Sequence, residues 1–146
     1  MAVSTSTIGY GDTLEFSTDD GSTQTQIQEL KTCDIPTNTV EKIGRTHMAS
    51  PDRTKEYTTG LRDTNDVNFT FNFNSADYKA LFDLEAAGTV ADWTHTLAVE
   101  DGQTAGAVYT YKGFIEVSGA TREVEGVTEC TAVIKRTGAY TFVEGS

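Results

Sequence analysis

The run VNFTFNFN, residues 67–74, limits this chain more than any other feature. Val67, Phe69, Phe71 and Phe73 alternate with Asn68, Thr70, Asn72 and Asn74. A period of two is that of a strand with one apolar and one polar, uncharged face. Such a strand cannot bury its phenylalanines alone; it needs neighbours in a sheet and a second layer over the apolar side. The reading therefore begins from a mainly β chain, with Phe69, Phe71, Phe73, Phe82 and Trp93 expected in the core.

Other segments fit around that strand. Tyr10 to Phe16 and the run TQIQELKTCDIP read as two strands joined by a turn at Asp20-Gly21, the second ended by Ile35-Pro36. Val40 to Met48 reads as a third strand. After the alternating run, Ser75 offers an N-cap and Asp77 suits a helix start. ADYKALFDLEAA has helical spacing, and Gly88 gives a left-handed stop. Tyr78, Leu81, Phe82 and Leu84 or Glu85 would form its apolar stripe. Trp93 to Val99, Ala107 to Val117, a strand with Cys130, Ala132 and Ile134 on one face, and AYTFV complete a β-sandwich or small barrel. The expectation is seven to eight strands, one flanking helix at about 75–87 and a long loop at about 46–60. No linker or repeat divides the chain, so 1–146 reads as one domain with an N-terminal arm at 1–9.

The loop THMASPDRTKEYTTG has neither a strand's nor a helix's period and little apolar material. Loops of this length without structure of their own are functional or disordered. Charge marks the same region: Lys42, Arg45, Arg53, Lys55 and Arg62 against Asp52 and Glu56 give +3, in a chain whose net charge is −11, leaving −14 on the rest. So acidic a chain should repel nucleic acid rather than grip it. The first nine residues lack a secretory signal's apolar region and no run is long enough to span a membrane, so synthesis in the cytoplasm without a membrane anchor is expected.

Motifs that carry chemistry are absent. There is no phosphate-binding glycine loop, zinc-protease helix, nucleophile elbow or calcium loop. Cys33 and Cys130 lack metal-ligand or redox spacing and are expected as buried free thiols. His47 and His95 lie on different elements, and Glu123 and Glu125 would share a solvated strand face. No catalytic residue, cofactor or metal is assigned.

The order of segments is more specific than any motif. THMASPDRTKEYTTGLRD, the strand VNFTFNF, the helix opened by SADY and closed at Gly88, and a Trp-led strand together resemble the tail tube (major tail) proteins of long-tailed, non-contractile phages. GYGDTLEF, CDIP, YKGFIEV and TAVIKRTGAYTF extend the likeness over nearly the whole chain. Arg45, where a more strand-like residue is expected, and ends with little apolar material depart from the pattern.

The resemblance implies a structural virion protein of the tail, made in the bacterial host. Six copies would form a ring, and stacked rings a hollow tube for DNA delivery, with DNA passing through without specific binding. Expected partners are further copies of the chain and the tail-tip or initiator, tape-measure and tail-terminator proteins. The matching loop implies subunit and ring-stacking contacts at Thr46, Met48, Ser50, Pro51, Arg53, Lys55, Glu56, Tyr57, Gly60 and Leu61. Candidate bore-facing residues are Asn68, Thr70, Asn72 and Asn74, or Glu129 and Thr131. Two other readings are a secreted hexameric tube protein of a contractile secretion system and an acidic carbohydrate-binding or adhesion β-sandwich. The latter would expose aromatics beside an acid cluster.

Overall fold

The alternation at 67–74 places β6, Val67–Asn72, in the middle of a mainly β fold. The computed structural model describes residues 11–19, 22–100, 102–122 and 124–146. The expected arm at 1–9, Tyr10, the Asp20-Gly21 turn and Glu123 lie outside them. The other strands are β1 (Thr13–Ser17), β2 (Thr25–Gln26), β3 (Leu30–Cys33), β4 (Asn38–Gly44), β5 (Tyr57–Thr64), β7 (Ala91–Thr96), β8 (Val108–Thr121) and β9 (Glu129–Val143), with helix α1 over Ser75–Ala87. Nine strands thus stand where seven to eight were expected.

Seven strands form one antiparallel sheet in the order β2-β1-β7-β8-β9-β6-β3, while β4 and β5 pair only with each other. The sheet has to curl. β2 and β3 lie at its opposite edges, yet only Ile27, Gln28 and Glu29 separate them, a reach of about 14 Å at most from Gln26 to Leu30. These three residues stitch the edges of a half-barrel together. The Ile27 amide donates to Leu14 O on one side (3.0 Å), and Glu29 O accepts from the Asn72 amide on the other (3.0 Å). The expected single second strand is therefore two short ones, because Ile27 turns inward and is buried.

One face of every strand in the sheet points into the curl. Val67, Phe69 and Phe71 pair with Ile134, Ala132 and Cys130, and Trp93 sits beside Tyr111 and Phe16. Phe69 and Trp93, on strands that are not neighbours, meet across the interior with ring centroids 6.0 Å apart. The expected strands at 127–137 and AYTFV are one continuous strand, β9, whose register against β8 shifts between Thr110 and Lys112.

Helix α1 covers the interior with Leu81 and Leu84. Its N-cap is Asn74, whose side chain accepts from the Ala76 amide at 3.0 Å, one residue before the expected Ser75. Gly88 closes it at φ 63°, the left-handed conformation glycine adopts without strain. Asp77 does more than favour the helix start: it is buried, and its carboxylate accepts from the Gln28 amide at 2.9 Å, tying the helix to the stitch between the sheet edges. With Asp77, Leu81 and Leu84 inward, the helix is rotated away from the expected stripe. Phe82 is exposed, as is Phe73 beyond the end of β6, and both flank Tyr78 as an outer aromatic ridge rather than joining the core.

Candidate assembly surface

The segment read as a loop at 46–60 belongs to a longer device. β4 and β5 form a two-stranded ribbon from Asn38 to Thr64, joined by a tip at residues 45–56. Tyr57 and Gly60 therefore lie on a strand, and the strand expected at Val40 to Met48 ends at Gly44. Apart from half-buried Asn38, Gly60 and Thr64, every residue of the two strands is exposed. An isolated two-stranded ribbon is marginal in water. This one nevertheless holds Val40, Ile43, Tyr57 and Leu61 out into solvent, with Met48 fully exposed at the tip.

The tip is organised from within. Thr46 Oγ1 accepts from the Glu56 amide (2.8 Å) and donates to Glu56 O (3.3 Å). Ser50 Oγ accepts from the His47 amide (2.9 Å) and donates to Glu56 Oε2 (2.9 Å), where His47 Nε2 also approaches to 3.5 Å. A 3₁₀ turn over Pro51–Arg53 follows, with Asp52 and Arg53 both at φ 53°. The expected contact residues thus divide. Thr46, Ser50 and Glu56 hold the tip, and Gly60 has a packing reason: a Cβ there would lie 3.1 Å from Ile43 Cδ1 and 3.2 Å from Glu41 Cβ. Pro51 opens the turn and its carbonyl accepts from the Thr54 amide at 3.1 Å, while Met48, Arg53, Lys55, Tyr57 and Leu61 present exposed side chains.

The expected bore-facing residues largely share one surface. Thr70 pairs with Thr131 and with Thr32, Asn72 pairs with Glu129, and Asn68 pairs with Val133, all on the sheet face opposite the core. Asn74 does not join them, because it caps the helix. Three acids on or beside this face have a lysine partner. Glu129 pairs with Lys31, Asp92 with Lys112 at 3.7 Å, and Asp66 at the strand end meets Lys135 at 3.7 Å. Glu15 and Glu116 add carboxylates with no salt bridge among the described residues, so the face combines hydroxyls and amides with acids.

His95 lies on a strand, as its place in the alternation implied, whereas Cys33 departs from its expected burial. His95 is buried and has partners: Nε2 lies 3.3 Å from Asp12 Oδ2, and Nδ1 lies 3.8 Å from Cys33 Sγ. Cys33 itself is only half-buried, whereas Cys130 is buried; both are free thiols. A Cys-His-Asp row suggests nucleophilic catalysis, which needs a thiolate. Burial, with the Asp34 and Asp12 charges adding to it, pushes the Cys33 thiol up to about 12, and burial holds His95 below its usual range against the opposing pull of Asp12. Both shifts oppose a thiolate–imidazolium pair. A single metal ion does not fit either, since Cys33 and Asp12 sit on opposite nitrogens of one ring. The row is a second stitch across the curl: Asp12 precedes β1, His95 is on β7, Cys33 is on β3, and Asp12 Oδ1 also accepts from the Ala98 amide at 2.7 Å. Glu125, read as a strand acid, lies in the connection after β8, which ends at Thr121.

The residue missed most clearly is Arg136. It is buried on the core face, and its guanidinium reaches the root of the ribbon. The same alternation that put Cys130, Ala132 and Ile134 inward extends to position 136 and could have found it.

No protein-family model and no curated protein matches the chain. Among solved structures, it is similar to a chain of the anti-feeding prophage (AFP) baseplate, 6-fold symmetrised, at 9% identity over 97% of this chain and 98% of that one, with a TM-score of 0.70. A chain from the tail of the empty gene transfer agent particle, with C6 symmetry, is 15% identical over 94% and 99% of the two chains, TM-score 0.68. A chain of the SPP1 tail tube is 15% identical over 95% of this chain and 79% of that one, TM-score 0.63. The chain thus shares its overall fold with chains from a prophage baseplate, a gene transfer agent tail and a phage tail tube.

Proposed function

We propose that the chain is a structural tail tube subunit: six copies close a ring, and rings stack into a hollow tube along which DNA passes without specific binding. The observation that carries this reading is the ribbon, which leaves a fold shared with six-fold tail assemblies and packs little against its own chain.

Ring and stack need two contacts of different kinds. β4 and β5 each pair on one side only, so their outer edges offer rows of backbone donors and acceptors to a strand from another copy. Met48, Tyr57 and Leu61 supply apolar anchors, and Arg53 and Lys55 suit a contact with the acidic body of a neighbour. The polar sheet face of Asn68, Thr70, Asn72, Glu129 and Thr131 is the candidate bore lining. Hydroxyls, amides and acids there would give phosphates little to hold. Tail-tip, tape-measure and terminator proteins are the partners such a tube would meet at its ends and along its bore.

Negative-stain electron microscopy over a concentration series, with light scattering, tests the reading. Rings of six or hollow tubes are expected. A strict monomer that also fails to extend a tail-tip nucleus would overturn it.

A further inference from the structure

Arg136 is 3% exposed and has no carboxylate partner among the described residues. Burying a guanidinium is costly unless hydrogen bonds replace its water. Each acceptor it finds belongs to the root of the ribbon. Nη1 donates to Thr37 O at 2.6 Å and to Asn65 O at 3.5 Å, and Nη2 donates to Asn38 Oδ1 at 3.1 Å. The body supplies only π faces, with the guanidinium carbon 4.9 Å from the Tyr140 ring centroid and 5.9 Å from that of Tyr111. Nε has no hydrogen-bond partner among the described residues. In return, Thr64 Oγ1 from the end of β5 donates to Arg136 O at 3.2 Å. The root is also knotted on itself, with the Asn65 amide on Thr37 O (3.2 Å) and Asn65 Nδ2 on Thr37 Oγ1 (3.0 Å).

We infer that Arg136 is a latch that fixes the direction in which the ribbon leaves the body. The ribbon's two strands are held by their own ladder, so their pairing does not depend on Arg136; the joint between ribbon and body does. When the root sits in place, its carbonyls replace the water the guanidinium has lost. When the root swings away, the same guanidinium can be rehydrated, so the joint has two alternatives rather than a continuum. A subunit with a fixed ribbon meets its neighbour without ordering the joint at each addition, which cuts the entropic cost of assembly. That consequence rests on the assembly reading above; the latch itself does not.

The test is hydrogen exchange of dilute, unassembled subunits, read in peptides covering 34–40 and 62–67, alongside light scattering of assembly. Arg136→Met keeps an apolar stem between the tyrosines and removes the donors. Root exchange is expected to rise about tenfold, with β6 and β7 unchanged and assembly slower, as for a local opening that has lost charge-assisted hydrogen bonds. Equal root exchange in wild type and variant would overturn the latch. Should Arg136→Met speed exchange everywhere, Asn38→Ala decides, since it removes one acceptor from the ribbon side without entering the core: a rise of about threefold confined to the root supports the latch, and no rise overturns it. Wild-type subunits that form no rings would count against the tube reading, while root exchange would still decide the latch.

Discussion

β6 and β5 are both antiparallel strands with regularly placed large apolar residues, yet they live in opposite environments. β6 has β9 on one side and β3 on the other, and its Phe69 and Phe71 are fully buried against Trp93 and one another. β5 has only β4, and its Tyr57 and Leu61 face water at 59% and 84% exposure. The curled sheet satisfies itself, through ladders on both sides, a helix over the interior and two stitches across its edges. The ribbon satisfies only half its backbone and little of its apolar surface. Such a division within one chain teaches that the body meets its own needs, while the ribbon leaves backbone edges and apolar side chains that the proposed assembly would cover.

The widest gap should appear in subunit stability. Phe69→Ala is expected to cost about 3–5 kcal/mol in urea unfolding of the unassembled subunit. Leu61→Ala should cost below about 0.5 kcal/mol in the same experiment while weakening assembly. Comparable losses from both would erase the distinction between body and ribbon. Next comes the helix tie: Asp77→Ala removes the buried carboxylate that accepts from the Gln28 amide, a charge-assisted hydrogen bond, and should cost about 1–3 kcal/mol, again in the subunit. On the ribbon side, Arg53→Glu with Lys55→Glu should leave the urea midpoint unchanged. It should raise the concentration needed for assembly about tenfold, equivalent to ~1.4 kcal/mol, with the wild-type value rising in salt.

The smallest effect is a pH slope. Burial holds His95 below its unfolded value of 6.5, so the unfolded chain takes up the proton first as pH falls. Its contribution is present above pH 6.5 and is lost as the pH drops through the lower, folded value. Subunit stability should therefore decline below pH 6.5, and His95→Gln should flatten that part of the profile. A slope of equal size in the variant would assign it to other groups.

Much of the body was legible because its strands bury one face. Alternation at 67–71 and 130–134 identified core residues correctly, and Gly88 marked the helix end. The failures share a cause: wherever neither face is buried, or a tertiary partner replaces the local one, periodicity has nothing to report. β5 went unseen because Tyr57, Gly60 and Leu61 do not alternate against a core. Phe73 was placed inside by alternation, which stops short of it where β6 ends at Asn72, and Phe82 by helical spacing, although Leu81, Leu84 and the tie at Asp77 set the helix's rotation. The split of the second strand depended on Ile27 turning inward between two sheet edges, a long-range arrangement. For the candidate assembly surface, the position of the polar tip and its basic character were readable. Which residues hold the tip and which are free was not, since that depends on Thr46, Ser50 and Glu56 meeting across the loop. Arg136 was legible in principle from alternation, but only the fold shows that its acceptors come from residues 37, 38 and 65.

The most direct test of the account is a helical reconstruction by cryo-electron microscopy of assembled wild-type protein. Six copies in each ring are expected, with Met48, Tyr57 and Leu61 buried against another copy and the Asn68, Thr70 and Thr131 face turned to the bore. Tubes in which the ribbon stays in solvent, packed on no neighbouring subunit, would contradict it.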